Sequence, residues 1–152
     1  MLDYRLRAPQ AADYAAITSW VPDAAACLRW AGPRMSFPFA AADLPTLLTM
    51  ESSHSYCLAR GDALAVGFGQ HWVNRPGAVH VGRILVSPQV RGQGLGRVLV
   101  EQLLARALQV SGVDTVTLRV YRDNGAALAL YTSLGFAQVT AESNAEMFFM
   151  QR

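Results

Sequence analysis

The chain contains no lysine; all thirteen of its basic residues are arginine, scattered from Arg5 to Arg152 without a basic block. The missing lysine excludes a P-loop, which needs one after its last glycine to reach the terminal phosphates of a nucleoside triphosphate. The scatter of arginines and a net charge of only +2 argue against nucleic acid as a partner. No apolar run approaches the ~20 residues that span a bilayer, so no membrane association is expected. The opening residues, Met1-Leu2-Asp3-Tyr4-Arg5-Leu6-Arg7, have no long apolar region after their charges and do not read as a signal peptide. Cysteine is scarce: Cys27 and Cys57 are isolated and fit no metal or redox spacing. No metal is therefore expected, and the two read as buried free thiols of a cytoplasmic protein.

What is present suits one domain, residues 1–152, with half of its residues apolar and enough length to bury a core. The most informative stretch runs Ile84-Leu85-Val86-Ser87-Pro88-Gln89-Val90-Arg91-Gly92-Gln93-Gly94-Leu95-Gly96-Arg97. An apolar run stops at a proline, and a loop with glycine at every second position opens into an amphipathic helix. Glycines let backbone approach a ligand, and the unpaired N–H groups of a helix start attract negative charge. Arg91 adds a fixed positive charge, so the layout suits a pyrophosphate. A dinucleotide fingerprint, G-x-G-x-x-G, does not fit. Counted from Gly92 the third glycine place holds Arg97, and counted from Gly94 it holds Leu99.

The remaining pattern is R-x-x-G-x-G at Arg91, Gly94 and Gly96, after a strand ending in Leu-Val-x-Pro. It resembles the acyl-CoA-binding loop of the GNAT superfamily of N-acetyltransferases. A second stretch, Val120 to Phe136, resembles that family's other signature: Asn124 opens a helix that carries Tyr131 and ends in Leu134-Gly135-Phe136. Together the two cover about residues 79 to 137.

Periodicity and punctuation predict the elements. Alternation predicts a strand over Leu2–Arg7. Two helices are expected at 10–20 and 23–31, parted by Pro22 with Asp23 as cap, and Gly32-Pro33 closes the second. An aromatic loop, Ser36-Phe37-Pro38-Phe39, precedes a helix from Asp43 to about Met50. Strands are expected near 54–60, 63–73 and 78–86, a helix from about Gly94 to Val110, and a strand from Thr115 to Tyr121. A helix at 124–134 and strands near 136–140 and 145–151 complete the order. The class is α/β. The resemblance implies the GNAT fold: a mixed central sheet with a splayed parallel pair, flanked by helices.

The resemblance also implies roles. The co-substrate would be acetyl-CoA. The backbone of Arg91, Gly92, Gln93, Gly94, Leu95 and Gly96 would hold its pyrophosphate. Main-chain groups of Leu85 and Val86 would pair with the pantetheine arm, and an N–H near Val86 would face the thioester oxygen. Asn124 would hydrogen-bond the arm; it equally suits a helix cap. Tyr131 would be the general acid toward the departing thiolate, where position alone would read as a core tyrosine. The strand 78–86 has no carboxylate to act as base. It offers Arg83, always protonated, and His80, so a base acting through ordered water is preferred. Trp20, Trp30, Phe37 and Phe39 are mapped near the mouth of an acceptor pocket, with Trp30, Phe37 and His80 as substrate candidates and Arg34 as a further cation. The expected activity is acetyl transfer to a primary amine, first of a small molecule, second of a protein N-terminus or lysine. A coenzyme-A-binding sensor without turnover stays as the rival. The resemblance leaves room for a homodimer.

Overall fold

The computed structural model describes residues 3–152. The first strand, β1, spans Tyr4–Arg7; Leu2, expected to open it, lies outside the described residues. Two helices follow, α1 (Ala11–Trp20) and α2 (Ala24–Ala31). The Asp23 carboxylate accepts from the Ala26 amide at 2.8 Å and so starts α2 as expected, and Gly32, at φ 81°, ends it. A 3-10 turn at Ala41–Asp43 leads into a short α3 (Leu44–Leu47). The chain then forms β2 (His54–Arg60), β3 (Gly67–Arg75) and β4 (Ala78–Val86). The long helix α4 (Leu95–Ser111), β5 (Thr115–Tyr121), α5 (Gly125–Ser133), β6 (Ala137–Gln138) and β7 (Met147–Gln151) complete it.

Among the described residues the strands form one seven-stranded sheet in the order β1-β2-β3-β4-β5-β7-β6. Every neighbouring pair is antiparallel except β4 and β5. One face carries α4 and the larger core: Leu99, Leu103 and Ala107 of the helix pack on Leu58, Val79, Val81 and Leu118, with Tyr131 of α5 in the same cluster. The other face carries a second core built on Ile17, Trp20, Trp30, Leu44 and Phe68. Cys27 and Cys57 are buried in that second core as free thiols. No helix among the described residues is long and apolar enough to cross a membrane.

Three differences from the sequence expectation have local causes. The strand expected at 63–73 begins at Gly67, because the preceding backbone is diverted: the Ala65 amide donates to buried Asp13 at 3.1 Å, in a network that also holds Arg7. The helix expected to reach Met50 ends at Leu47. The Leu48 carbonyl is captured instead by Gln70 Nε2 at 2.7 Å and by Arg83 Nη1 at 3.2 Å. The strand expected at 136–140 shrinks to Ala137–Gln138, since a 3-10 turn takes Thr140–Glu142.

Two features of β3 and β4 set up the rest. Gly67 and Gly69 face α4 with no side chain between. A Cβ on Gly69 would lie 2.9 Å from Leu103 Cδ2, and one on Gly67 3.1 Å from Leu99 Cδ2. The helix therefore rests directly on the strand, and its N-terminus is fixed over the end of β4. β4 itself contains a bulge. Phe68 pairs with Leu85 but Gln70 pairs with Gly82, so Arg83 and Ile84 together stand opposite Gly69. Arg83 takes the extra place at φ 51°, a left-handed conformation uncommon for a residue with a side chain. The bulge also switches which residues face which core. Val79 and Val81 pack in the α4 core before it; Ile84 and Val86 pack there after it, and Leu85 turns to the other core.

Replacing Gly69 by valine should destabilise the fold by about 1–3 kcal/mol, because Leu103 would have to leave its place against the strand. Denaturant unfolding measures this; an unchanged midpoint would mean that α4 has room to rise.

Candidate functional site

The parallel ladder between β4 and β5 is short. It pairs Ala78 with Thr115, Val79 with Val116 and His80 with Thr117, and then stops. Both strands continue, β4 to Val86 and β5 to Tyr121, with no hydrogen bonds between them. The separation opens a slot of about 120 Å³ lined by Val81, Gly82, Leu118, Val120, Asn124 and Tyr131. Arg29, Trp30 and Tyr121 line the slot and also two wider cavities at its ends. One, about 680 Å³, extends past Leu85 and Pro88 to Arg91. The other, about 310 Å³, extends along the α2 side to Trp72, His80 and Arg119. The result is a continuous path along the edge of β4, from the glycine loop to the middle of the sheet.

At the loop end, Gly92 and Gly94 both have φ 79°, a conformation that costs L-residues about 1–2 kcal/mol and glycine nothing. Gly94 is the N-cap of α4, and no side chain caps this helix. The starts of α1, α2 and α5 are served by side chains: Asp13 accepts from the Gln10 amide, Asp23 from Ala26, Asn124 from Ala127. The first amides of α4 have no partner among the described residues and remain open to an anion. Gly96 lies within the helix, and a Cβ there would meet nothing within 4 Å, so the folded chain itself does not require glycine at this position. Arg91 is exposed, and its Nε donates to the Val86 carbonyl at 3.3 Å, which ties the cation to the end of β4. Gln93 is exposed, whereas the Leu95 side chain is buried, so only the backbone of Leu95 is available to a ligand.

Of the two roles expected of Asn124, the helix cap is present. Its Oδ1 accepts from the Ala127 amide at 3.3 Å, and the side chain also lines the slot and the loop-end cavity. The cap uses the oxygen, and among the described residues the Nδ2 donors have no partner. Tyr131 is 7% exposed, packs edge-on against Phe136 and borders the slot. Burial pushes its phenol up to about 12, so it is protonated at neutral pH.

The substrate candidates separate. Trp30 lines all three cavities; its Nε1 donates to the Arg83 carbonyl at 2.9 Å, so the bulge anchors the ring. His80 lines the far cavity but is buried, with Nδ1 2.8 Å from Thr117 Oγ1. Its pKa is drawn down to about 4 by burial first and then by Arg119 and Arg75. Phe37 stands apart: it is a surface residue set edge-on against Phe39 and lines none of these three cavities. The sequence reading missed Arg29, Trp72, Arg119 and Tyr121. Arg119 and Tyr121 continue the alternation of Thr115 and Thr117 on the face of β5 opposite α4, which is the signal that could have found them.

The GNAT acetyltransferase family model matches residues 24–136, and the chain belongs to this family. Mycothiol acetyltransferase of Salinispora arenicola (strain CNS-205) is 42% identical over 82 residues, 50% of this chain and 27% of its own length. The ribosomal protein bS18-alanine N-acetyltransferase of Escherichia coli (strain K12) is 48% identical over 61 residues, 40% of each chain. The matched segments thus span less than half the length of these curated relatives. Among solved structures, spermidine N-acetyltransferase from Vibrio cholerae in complex with CoA and spermine superposes with a TM-score of 0.79 at 16% identity, covering 98% of this chain and 94% of that one. The ribosomal-protein-S18-alanine N-acetyltransferase from Escherichia coli gives 0.69 at 24% identity, covering 98% and 92%. At such identities the likeness is one of fold.

His80 and His71 both lie well below the ordinary histidine value, at about 4; for His71 the causes are burial, then His54 and Arg106. The native rings stay neutral where the unfolded chain, titrating near 6.5, takes up protons. Stability should therefore be full above about pH 6.5 and fall as pH drops toward 4, by up to about 3 kcal/mol per ring. Denaturant unfolding at pH 7.5, 6 and 5 reads the slope, and a flat profile would show that neither ring is held neutral.

Proposed function

We propose that the chain is an acetyl-CoA-dependent N-acetyltransferase acting on a primary amine, first of a small molecule, by direct attack within a ternary complex. The observation that carries this reading is the early end of the β4–β5 ladder. It leaves an unpaired strand edge running from the open amides of α4 to Tyr131, a path suited to an extended amide-bearing arm. In this reading the backbone of residues 91–96 and Arg91 hold the coenzyme's pyrophosphate. The edge at Leu85 and Val86 takes the pantetheine, with a Val86-region N–H toward the thioester oxygen. The free Nδ2 of Asn124 donates to an amide carbonyl of the arm.

The amine nitrogen attacks the thioester carbon, the C–S bond breaks, and the product is an N-acetylated amine with coenzyme A as thiol. The proton lost by the amine passes to water, because no aspartate or glutamate lines the three cavities and His80 at about 4 is too weak a base at neutral pH. Tyr131, protonated, donates to the departing sulfur. With its phenol at about 12 this is a strong hydrogen bond that becomes full proton transfer only as burial raises the basicity of the thiolate too. Burial also raises the Cys27 and Cys57 thiols, Cys57 to about 12, which disfavours an acetyl-cysteine intermediate.

A protein N-terminus is the second reading, favoured by the 48% identity with the bS18-alanine enzyme. Following thiol release with acetyl-CoA, a panel of small amines and an N-terminal alanine peptide separates the two. Saturable coenzyme binding with no release from any acceptor would instead indicate a sensor.

Two substitutions test the site. Tyr131→Phe should lower kcat about 100-fold with coenzyme affinity within about twofold, and unchanged turnover would leave Tyr131 a packing residue. Gly96→Val should leave the melting temperature of the free protein unchanged and weaken coenzyme A binding about tenfold or more, since the branched side chain fills space over the helix start. Normal affinity would move the pyrophosphate elsewhere.

A further inference from the structure

The cavity at the far end of the slot has an unbalanced lining. Three arginines border it, Arg29, Arg83 and Arg119, and no aspartate or glutamate does. Their carboxylate partners differ. Arg29 is neutralised by Asp123 at 2.8 Å while its guanidinium lies 4.3 Å from the centre of the Tyr121 ring. Arg83 donates through Nη1 to the Leu48 carbonyl and to Gln70 Oε1 and, among the described residues, has no carboxylate. Burial, and then Arg34, hold its pKa below the ordinary arginine range, which marks an uncompensated cation. Arg119 is exposed and, among the described residues, donates only to the Glu142 backbone carbonyl at 3.2 Å, with its guanidinium over the face of Phe149. The carboxylate of Glu142 is turned to Arg75 at 2.7 Å. His80, the one imidazole in the lining, is neutral at neutral pH. Between the cations the walls are flat and apolar. Trp72 lies on Gly82, where a Cβ would come within 2.8 Å of the ring, and Trp30 of α2 and Tyr121 of β5 complete the lining.

We propose that this cavity binds an acceptor whose amine is accompanied by a carboxylate and an apolar or aromatic body, as in a hydrophobic α-amino acid. The proposal rests on the acetyltransferase reading and specifies its substrate class. Arg119 is the first contact for the carboxylate, since it is exposed and has four unused N–H donors. Arg83, behind it, adds positive potential. A polycationic acceptor would bring like charge to two unpaired guanidiniums with nothing of opposite sign in the lining to receive it. The amine itself points from this cavity into the slot, where Tyr131 and the parted strands meet.

The test uses matched pairs that differ only in the carboxylate: L-phenylalanine with phenethylamine, and L-leucine with 3-methylbutylamine, with spermidine as the cationic control. Thiol release from acetyl-CoA by the full chain should give kcat/KM about tenfold or more higher for each acid than for its decarboxylated partner, and lowest for spermidine. Arg119→Gln should raise KM for the acids about tenfold and leave the decarboxylated amines within about twofold. Preference for spermidine or for the decarboxylated amines, or an equal loss for both members of a pair in Arg119→Gln, would overturn the proposal. If no amine releases thiol, the acetyltransferase reading fails by itself. The cavity is then assayed by calorimetry, titrating N-acetylphenylalanine and N-acetylphenethylamine into protein saturated with coenzyme A. Tighter binding of the acid, lost in Arg119→Gln, supports the anion site, and equal or weaker binding of the acid rejects it.

Discussion

β4 and β5 share hydrogen bonds at three residue pairs and then diverge, and the site depends on that divergence. A parallel pair in the middle of a sheet ordinarily satisfies every backbone group along its length. Here the strands keep going with their facing edges unpaired. The cost is borne because water reaches the gap, as the slot and its two cavities show. What is gained is a strand edge inside a sheet, bordered by a narrow slot of about 120 Å³ rather than by open solvent. The bulge at Arg83 and Ile84 re-aims β4 at the point where the ladder has just ended, and the Arg83 carbonyl, taken by Trp30, fixes the new direction.

The second constraint is the seating of α4. Its N-terminal amides are useful only if they point at the end of β4, and a helix is positioned by its side-chain contacts. Gly67 and Gly69 remove the side chains that would hold it off the sheet, so Leu99 and Leu103 reach the strand backbone. The helix start then inherits its position from the larger core rather than from the loop. The loop can consequently be built of glycine, exposed and without internal contacts, and still present its amides in one place.

The elements written in local chemistry were legible in the sequence. The cap at Asp23, the Gly32 stop, the Pro88 break, the glycine cap of α4 and the order of strands and helices all follow from residues acting on their own neighbours. What was not legible depends on distant partners. Asp13 diverts the chain before Gly67, and Gln70 with Arg83 truncates α3, each across many residues. The bulge sits on an arginine, where a glycine would have signalled it. Phe37 was grouped with Trp30 because both are aromatic and near in sequence, but Trp30 belongs to α2 and the core whereas Phe37 lies on the surface beside Phe39. The far cavity was missed for the same reason: its arginines come from α2, β4 and β5, and no segment shows more than one.

The extra residue in β4 has a consequence for how the gene can change. Upstream of Arg83 the odd-numbered side chains face α4, and downstream the even-numbered ones do. Loss of a single codon there would keep the reading frame intact yet restore one uninterrupted alternation. Ile84 and Val86 would still face α4 and Leu85 the other core, with Gln70 still opposite Gly82 and Phe68 opposite Leu85; what would go is the bulge itself, and with it the Arg83 carbonyl that anchors Trp30. A length change of one at this point therefore spares both cores and falls on the cavities instead, and the odd residue is tied to the carbonyl it offers Trp30 rather than to the packing of the sheet.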